Sequence, residues 1–416
     1  MQAGAATGAS GSQDRIVRVG IVGTGGRGTS LLRNLLALPG VEVPAVCDIN
    51  ESNAARAQAV LEKAGRHRPE AYTAGVEDFR RLAARDDLDA VINATPWEWH
   101  TPVAVAAMKA GKYAGVEVPA ALTVEECWNL VDTSEKTGMP CMMLENVCYF
   151  RNVLMVLNMV RQGVLGELLH CEAGYQHFIR SMSFNSSGGL TWRGMHALAH
   201  NRNQYPTHPI GPVAWWLNIN RGDRFAYLTS MSSNSRSPQL YARKTFGPDH
   251  PSAQRQFAQG DVNTTLIKTE NGLTVTLYYN TQSPQPYDLI LRVLGTAGTY
   301  SGTLDKVYVD GRSPARPNEP AWEDAAAYYQ QYEHPLWKSQ GEQARGSGHG
   351  GADYFTVKAF VDAVRGRTGT PIDVYDSATW SVITPLSGKS VAARSAPVDF
   401  PDFTRGKWRT SKPVTV

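Results

Sequence analysis

The sequence predicts two architectures in one chain: an α/β unit built on a doubly wound parallel sheet, then an α+β unit with an open, mostly antiparallel β-sheet. Three observations carry this prediction. Strand-like and helix-like segments alternate up to about residue 150. A glycine-rich turn separates the first strand from the first helix. From about residue 167, apolar residues recur with period two, which is typical of strands with one buried face.

The glycine-rich turn follows a β-branched segment, residues 16–22, that predicts a buried strand. It has the pattern Gly23-x-Gly25-x-x-Gly28 and leads into a helix predicted over residues 27–38. The three glycines allow, in order, a tight turn, close approach of a pyrophosphate, and close packing of helix on strand. The helix N-terminus adds unpaired N–H groups and a partial positive charge that favour phosphates.

A second predicted strand, residues 41–47, ends at Asp48, which lies 48 − 28 = 20 residues after Gly28. An acid at this spacing accepts hydrogen bonds from an adenosine ribose and favours NAD over NADP. Together, the strand, helix, second strand and terminal acid predict a Rossmann unit that binds NAD. The alternative is a glycine turn in an ordinary α/β unit.

Further strand-like segments continue the alternation at residues 88–94, 113–118 and 139–144. Helices are predicted over residues 51–65, 78–86, 102–111 and 123–138. In such sheets ligands bind beyond the carboxyl ends of the strands. We therefore expect one rim to carry the Gly23 turn, Asp48, Trp97 to His100, Glu117, Val118 and Asn146.

The second unit begins with a helix predicted over residues 151–163. Its strands are predicted at residues 168–177, 225–230, 262–268, 274–280 and 289–294. The long segment 181–224 is expected to be a functional loop. Residues 314–351 are expected to run extended over the surface, and closing helices are predicted at 353–365 and 377–393. The domain prediction is a disordered tail at 1–14, an NAD-binding domain at 15–150 and a substrate and oligomerisation domain at 151–416.

Composition excludes several functional classes. The net charge of +3 over 416 residues gives no basic stripe for nucleic acid, and no apolar run approaches the ~20 residues of a membrane span. The cysteines are odd in number and match no zinc spacing, so we predict reduced core thiols, no disulfide framework and no metal site. They are Cys47, Cys127, Cys141, Cys148 and Cys171.

Candidates for proton transfer cluster in the long segment, where Tyr205-Pro206-Thr207-His208 follows Arg193. Tyr175 and His177 lie on the preceding strand. A nearby cation such as Arg193 lowers the pKa of a tyrosine and fits it for acid–base work. The alternative is a packed structural tyrosine and histidine.

The loop Trp97-Glu98-Trp99-His100 follows a predicted strand at its carboxyl end. Aromatic rings there can wall a cofactor, and His100 can reach a ribose hydroxyl. Alternatively, the two tryptophans cover the sheet edge.

Glu117-Val118-Pro119 stands where sugar dehydrogenases of the glucose–fructose oxidoreductase-like (Gfo/Idh/MocA-like) superfamily typically carry Glu-Lys-Pro. The lysine that helps to bind and deprotonate a substrate hydroxyl is Val118 here. The aspartate that usually precedes the catalytic histidine is also missing, and Tyr205 lies ahead of His208 in that neighbourhood. Both departures argue against a plain dehydrogenase.

With these motifs, the sequence resembles glycoside hydrolase family 109, the NAD-dependent α-N-acetylgalactosaminidases of that superfamily. The resemblance covers roughly residues 15–311. Its specific matches are Gly25 to Gly28, Trp97 to His100, Glu117-Val118, Asn146, Tyr175, Trp192-Arg193, Tyr205 to His208 and Pro286-Tyr287. One departure is Pro209-Ile210, where the family usually has Gly-Leu.

The resemblance and the glycine motif imply two sets of site residues. NAD is expected to contact Gly23, Gly25, Gly26, Arg27, Gly28, Asp48, Thr95, Trp97, Glu98, Trp99, His100, Glu117, Val118 and Asn146. The sugar is expected to contact Tyr175, Arg193, Tyr205, Pro206, Thr207, His208, Tyr287 and Glu117. Proton transfers are assigned to Tyr175, Tyr205 and His208, without dividing the steps among them.

The resemblance also implies hydrolysis of terminal α-linked N-acetylgalactosamine with retention, by transient oxidation at C3, C2 deprotonation, elimination and water addition. The competing hypotheses are an NAD-dependent sugar oxidoreductase and a non-enzymatic NAD or sugar sensor. By resemblance we expect a homodimer and export to the periplasm or cell envelope. Residues 1–12 carry no recognisable leader, which leaves a cytoplasmic location open.

Overall fold

The structure is a computed structural model that describes residues 15–316 and 319–416. The predicted tail at 1–14 lies outside the described residues. The first unit alternates strands and helices as its apolar pattern requires. Its elements are β1 (Val17–Val22), α1 (Gly26–Leu36), β2 (Val41–Cys47), α2 (Glu51–Lys63), β3 (Glu70–Tyr72), α3 (Phe79–Ala83), β4 (Ala90–Asn93), α4 (His100–Lys109), β5 (Tyr113–Val116), α5 (Val124–Thr137) and β6 (Cys141–Met143).

These strands form a parallel sheet in the order β3-β2-β1-β4-β5-β6. Strand β1 pairs with β2 on one side and with β4 on the other, so the chain order reverses beside it. Strands β1, β4, β5 and β6 are almost wholly buried, which explains why their sequences are continuous apolar runs. The reversal opens a crevice beyond the carboxyl ends of β1 and β4, where doubly wound folds bind ligands.

The second unit contains α6 (Arg151–Arg161), β7 (Leu168–Gln176), α7 (Trp192–Ala199), α8 (Thr207–Trp216), β8 (Phe225–Ser232), α9 (Ser237–Phe246), β9 (Asn263–Thr269), β10 (Thr274–Asn280), β11 (Asp288–Gly295), β12 (Gly298–Ser301), β13 (Lys306–Val309), β14 (Ala315–Arg316), β15 (Glu319–Pro320), β16 (Glu323–Asp324), α10 (Ala326–Tyr332), α11 (Pro335–Ala344), α12 (Ala352–Gly366), α13 (Val374–Ser381), α14 (Ile383–Ala392) and β17 (Val398–Asp399).

The large sheet of this unit has the order β16-β13-β12-β11-β7-β10-β9-β8-β17. The predicted mostly antiparallel sheet is confirmed, although β7 and β10 pair in parallel at its centre. On these strands, Leu169, Met231 and Leu266 are exposed. Self-association through this face stays a prediction.

Three local predictions for the second unit were wrong. The segment 181–224 is not one loop, because it contains helices α7 and α8. Residues 314–351 include helices α10 and α11, and Tyr328 and Tyr332 of α10 are buried, so this stretch is part of the core. The helix predicted over 377–393 is two helices, α13 and α14, that meet at Val382.

The C-terminal helices return to the first unit and complete its packing. Oγ of Ser377 and Oγ of Ser381 accept hydrogen bonds from the backbone N–H groups of Met143 and Ala120, at 3.1 and 3.0 Å. Helix α12 places Asp353 beside the glycine turn. All five cysteines are buried and unpaired, as predicted. No helix in the described ranges combines the length and apolarity needed to cross a membrane.

Candidate active site

A cavity of about 860 Å³ occupies the crevice beyond the parallel strands and extends to the second unit. It brings most of the predicted site residues together. Those that line it are Gly23, Gly25, Gly26, Arg27, Asp48, Thr95, Trp97, Trp99, His100, Glu117, Val118, Asn146, Tyr175, Arg193, Tyr205 and His208. Gly28, Glu98, Pro206, Thr207 and Tyr287 are not among its lining residues.

In the glycine turn, two of the glycines have no room for a side chain and two others have open space beside them. Gly23 has φ +82°, and a Cβ there would lie 2.7 Å from the backbone of Ala94. A Cβ on Gly28 would lie 1.8 Å from the carbonyl oxygen of Gly23. A Cβ on Gly25 or Gly26 would meet no described atom within 4 Å. The outer face of the turn is therefore open, as close approach of a pyrophosphate requires.

Asp48 lies at the end of β2 and lines the cavity, as predicted. Its Oδ2 accepts a hydrogen bond from the backbone N–H of Thr24 at 2.8 Å, and its Oδ1 accepts one from Asn50 at 2.8 Å. The carboxylate thus ties the glycine turn to β2. Oδ2 also accepts from Oγ1 of Thr24 and Nδ2 of Asn53, both at 3.3 Å, so Oδ1, with one donor, is the oxygen better suited to a ribose hydroxyl.

Arg27 lies in the first turn of α1 and is held by two carboxylates. Its Nε donates to Oε1 of Glu117 at 2.6 Å, and its Nη1 donates to Oδ2 of Asp353 at 2.7 Å. Burial acts to lower the pKa of Arg27, but the two carboxylates outweigh it and raise the pKa above its usual value. The guanidinium is therefore permanently charged beside the expected phosphate position.

Asp353, at the start of α12, is fully buried and joins three side chains of the site. Besides Arg27, it accepts a hydrogen bond from Nδ2 of Asn146 at 2.7 Å and one from Nδ1 of His349 at 3.0 Å. Burial alone would raise the pKa of Asp353, but His349 and Arg27 outweigh it and hold the pKa well below its usual range. Asp353 was not predicted as a site residue.

These residues fit a dinucleotide. The open side of Gly25 and Gly26 leaves room for a pyrophosphate, and Arg27 supplies a positive charge near it. Oδ1 of Asn146 is buried without a hydrogen-bond partner among the residues the structure describes. An orphaned acceptor that lines the cavity suits the carboxamide or ribose of a nicotinamide nucleotide, because a buried polar atom is costly unless it is paired.

In the loop from Trp97 to His100, some side chains form the cavity wall and others hold the loop in place. Nε1 of Trp97 donates to the carbonyl oxygen of Val118 at 3.1 Å, which fixes the indole against the cavity. The ring nitrogens of His100 lie 2.6 Å from the carbonyl oxygen of Pro119 and 2.9 Å from that of Thr95. The predicted reach of His100 to a ribose hydroxyl is therefore wrong, because both nitrogens face backbone carbonyls. Glu98 is exposed, with Oε1 3.5 Å from Nε2 of His196.

His208 lies in the first turn of α8 and pairs with a buried carboxylate. Its Nδ1 lies 2.7 Å from Oε1 of Glu145, a side chain with no solvent exposure. A carboxylate only accepts hydrogen bonds, so the proton is on Nδ1 and Nε2 of His208 is left for the cavity. This arrangement of an oriented imidazole is typical of a general acid–base group.

Aromatic rings surround this imidazole. The ring centroids of Tyr175 and Tyr205 lie 5.3 and 4.8 Å from that of His208, and Tyr175 donates to or accepts from Nδ1 of His177 at 2.7 Å. Burial raises the pKa of both tyrosines above the usual value. Arg193 lowers the pKa of each tyrosine, as predicted, but burial is the larger effect. Both hydroxyls are therefore neutral donors at rest.

The remaining predicted residues lie around these groups. The guanidinium of Arg193 stacks over Trp192 at 4.3 Å and over Trp97 at 5.1 Å. Pro206 and Thr207 are buried where α8 begins, and the ring of Tyr287 lies 4.9 Å from that of His177. Glu145, His349 and Asp353 were not predicted as site residues. The glycine-rich stretch around His349 was the one local pattern that could have indicated part of this group.

Two family profiles match the chain. The profile described as "Oxidoreductase family, NAD-binding Rossmann fold" matches residues 17–145. The profile described as "Glycosyl hydrolase 109, C-terminal domain" matches residues 149–410, which is more than half of the chain. The first profile and the open glycine turn agree on the cofactor, which is NAD.

Relatives extend these matches over nearly the whole chain. A glycosyl hydrolase family 109 protein of Solibacter usitatus is 47% identical over 401 residues, covering 96% of this chain and 90% of the relative. An α-N-acetylgalactosaminidase of Tannerella forsythia is 43% identical over 424 residues, covering 97% and 90%. A levoglucosan dehydrogenase in complex with NADH and levoglucosan shares the fold, with a TM-score of 0.72, 20% identity and coverage of 93% and 100%. The chain belongs to glycosyl hydrolase family 109 and is an NAD-dependent glycoside hydrolase.

Proposed function

We propose that this enzyme releases terminal α-linked N-acetylgalactosamine from glycans, with retention of configuration and no net change in NAD. The observation that carries the proposal is His208, which Glu145 holds at Nδ1 and which lines the same cavity as the open glycine turn. The relative of Tannerella forsythia, named as an α-N-acetylgalactosaminidase, supports the choice of sugar. Val118 in place of a lysine weighs against a plain dehydrogenase.

NAD, when bound against the open side of Gly25 and Gly26, would supply a reversible hydride acceptor for the sugar C3. The residues of this chain carry out the other steps of the reaction, most of which are proton transfers. Nε2 of His208 is the acceptor for a sugar proton, because Glu145 holds the other proton on Nδ1 and stabilises the imidazolium that forms. A buried Glu145 carboxylate is well placed for this, since low dielectric strengthens its interaction with the charged ring.

The tyrosines act as neutral hydrogen-bond donors that orient the sugar. The hydroxyl of Tyr175 lies 2.7 Å from Nδ1 of His177, which fixes the orientation of the phenol. Tyr205 lies between Trp97 and His208, with ring centroids 5.7 and 4.8 Å away. The stacked Arg193 lies beside them and is a donor for a sugar or amide oxygen.

We further propose that residues 15–150 hold NAD and that residues 151–416 supply the sugar side. Of the residues predicted to contact NAD, we propose as contacts those that line the cavity, with the exception of His100. That histidine and Glu98 are not proposed as contacts, because the first is bonded to backbone carbonyls and the second is exposed and does not line the cavity. Two residues cross this division: Asp353 of the second unit holds Arg27, and Glu145 of the first unit orients His208.

The first experiment is incubation with p-nitrophenyl α-N-acetylgalactosaminide, with and without added NAD⁺, while nitrophenol and NADH absorbance are read together. We expect nitrophenol without accumulating NADH, and a product whose anomeric configuration is retained by NMR at early times. NADH that rises with free sugar, without glycoside cleavage, would establish the competing oxidoreductase. Silence in both readings, with NAD bound, would refute the sugar assignment.

A further inference from the structure

A second, smaller cavity adjoins the main one at Arg193. Its volume is about 20 Å³, and about 10–15 Å³ is enough to enclose one water molecule. Arg193, Tyr175 and Tyr205 line both cavities, so they form the wall between the two. Gln282 and Tyr279 line only the small one. The small cavity therefore joins Arg193 to polar side chains that do not face the main cavity.

The parallel pairing at the centre of the second sheet explains why Gln282 lies here. Strands β7 and β10 run side by side in the same direction, and Tyr175 on β7 is the register partner of Tyr279 on β10. Both strands therefore end at the same edge of the sheet. Gln282 follows two residues after β10 ends at Asn280, and it is buried. The fold thus brings Gln282 to the sugar end of the site.

The guanidinium of Arg193 has donors that its stacking leaves unused. It lies 4.3 Å from the ring centroid of Trp192 and 5.1 Å from that of Trp97. Stacking fixes the plane of a guanidinium but uses none of its five N–H groups, which point outward within that plane. In residues 15–316 and 319–416, this guanidinium has ring contacts but no hydrogen bond and no ion pair.

Gln282 offers an acceptor on the other side of the small cavity. Its Oε1 is buried without a hydrogen-bond partner among the described residues, and its Nε2 lies 3.5 Å from Oγ1 of Thr281. Burial raises the pKa of Tyr279 to about 12, and the nearby charge of Arg193 partly opposes this rise. Donors on one side and an unpaired acceptor on the other suit a single buried water, which can accept from an N–H and donate to a carbonyl oxygen.

We propose that Gln282 is a positioning residue for Arg193 and acts through one water bound in the small cavity. The water accepts a hydrogen bond from an N–H of Arg193 and donates one to Oε1 of Gln282. This link fixes the rotation of the guanidinium within its plane, so that its other edge faces the sugar. Gln282 thereby raises the affinity for the sugar without touching it. The inference rests on the proposed glycosidase function, in which Arg193 donates to the sugar.

The test separates sugar binding from turnover in the NAD-loaded enzyme. Gln282→Leu removes the acceptor and keeps a side chain of similar size. We expect KM for p-nitrophenyl α-N-acetylgalactosaminide and Kd for free N-acetylgalactosamine to rise together about tenfold, with kcat within about twofold of wild type, because a uniform binding interaction is weakened. Gln282→Glu keeps an acceptor oxygen and should keep both constants within about threefold of the wild type.

Gln259→Leu is the matched control. Gln259 is also buried, its Oε1 likewise has no hydrogen-bond partner in the part of the chain that the structure describes, and it lines neither cavity. Its KM and Kd should equal those of the wild type. Wild-type affinity in Gln282→Leu, or an equal loss in Gln259→Leu, would overturn the inference alone.

A double-mutant cycle shows whether Gln282 acts through Arg193, and it does so even where Gln282→Leu lowers stability. In an Arg193→Ala background, Gln282→Leu should change KM and Kd by less than about twofold, because the group that it positions is gone. The same loss in both backgrounds would contradict the inference.

A crystal structure of the enzyme with NAD and N-acetylgalactosamine tests the water itself. We expect a water within hydrogen-bonding distance of both Arg193 and Gln282, and its loss in Gln282→Leu. The acetamido group of the sugar in that cavity, in place of a water, would overturn the inference. A wild-type enzyme that neither cleaves the glycoside nor binds the sugar would overturn the proposed function, and the inference with it.

Discussion

The two ends of the cavity satisfy their polar groups in opposite ways. At the glycine turn, charges are paired within the protein: Arg27 lies between Glu117 and Asp353. At the sugar end, the groups are rings and hydroxyls, and His208 keeps one nitrogen for the cavity. The cofactor end therefore needs no proton to move, whereas the sugar end retains a site where a proton can be exchanged. Binding and proton transfer should accordingly be separable by mutation.

The largest expected effect is on turnover at the sugar end. His208→Ala should lower kcat about 10³-fold because it removes the imidazole that Glu145 orients, and Tyr205→Phe should lower it about 10²-fold. Bound NAD should stay at the wild-type level in both variants, since neither residue belongs to the glycine turn. The measurements are nitrophenol release and the NAD released by heat from purified enzyme.

Exposed His67→Ala serves as the control for His208→Ala. Near-wild-type turnover in either site variant would remove that residue from the mechanism. Loss of NAD together with activity would show that the two ends of the cavity are not separable.

The next effect is on NAD at the cofactor end. In Gly28→Ala the new Cβ would lie 1.8 Å from the carbonyl oxygen of Gly23, so the turn must shift. We expect this variant to lose about 2–3 kcal/mol of unfolding free energy and to bind NAD poorly. Gly25→Ala meets no described atom, so it should keep its stability within about 0.5 kcal/mol and still weaken NAD about tenfold.

The pair is matched because both changes add one methyl group to the same turn. Denaturant unfolding and NAD titration measure the two effects separately. Wild-type NAD affinity in Gly25→Ala would contradict the placement of the pyrophosphate against that glycine.

The smallest expected effect is on stability and depends on pH. Asp353→Asn leaves Arg27 with one carboxylate partner, and because Arg27 is partly exposed we expect a loss of about 2 kcal/mol at pH 7. The pKa of Asp353 is depressed in the folded protein, so its contribution is present above its unfolded pKa of about 4 and is lost as the pH falls below it.

Urea unfolding at pH 7, 5 and 3 tests this expectation. The difference between wild type and Asp353→Asn should be constant from pH 7 to 5 and smaller at pH 3. A difference that grows on acidification would show that the carboxylate does not stabilise the fold through its charge.

The sequence predicted those structural features that depend on neighbouring residues better than those that depend on residues far apart in the chain. The helix predicted over residues 123–138 has its N-cap at Thr123, and Thr123 and Glu126 form a capping box at its start. Strands β2 and β10 occur at the predicted residues. These features are set by neighbouring residues, so one stretch of sequence is enough to read them.

The features that were missed depend on distant partners. The parallel pairing of β7 with β10 joins strands about 100 residues apart, and no local pattern encodes it. In the sequence, Asp353 is an acid in the first turn of a predicted helix, which is a common helix-stabilising position. Its contact with Arg27 arises only when the chain folds. Glu145 shows the same difficulty, because its role depends on His208, 63 residues later.

The contact between Arg27 and Asp353 also has a consequence for biosynthesis. The two residues are separated by 326 positions. At a translation rate of about 5–20 residues per second, Arg27 emerges roughly 16–65 s before Asp353 is made. During that time the nascent N-terminal sheet lacks one of the two carboxylates that hold its phosphate-side arginine. We therefore expect cofactor loading to be a late event, completed only after the last quarter of the chain has folded back onto the first.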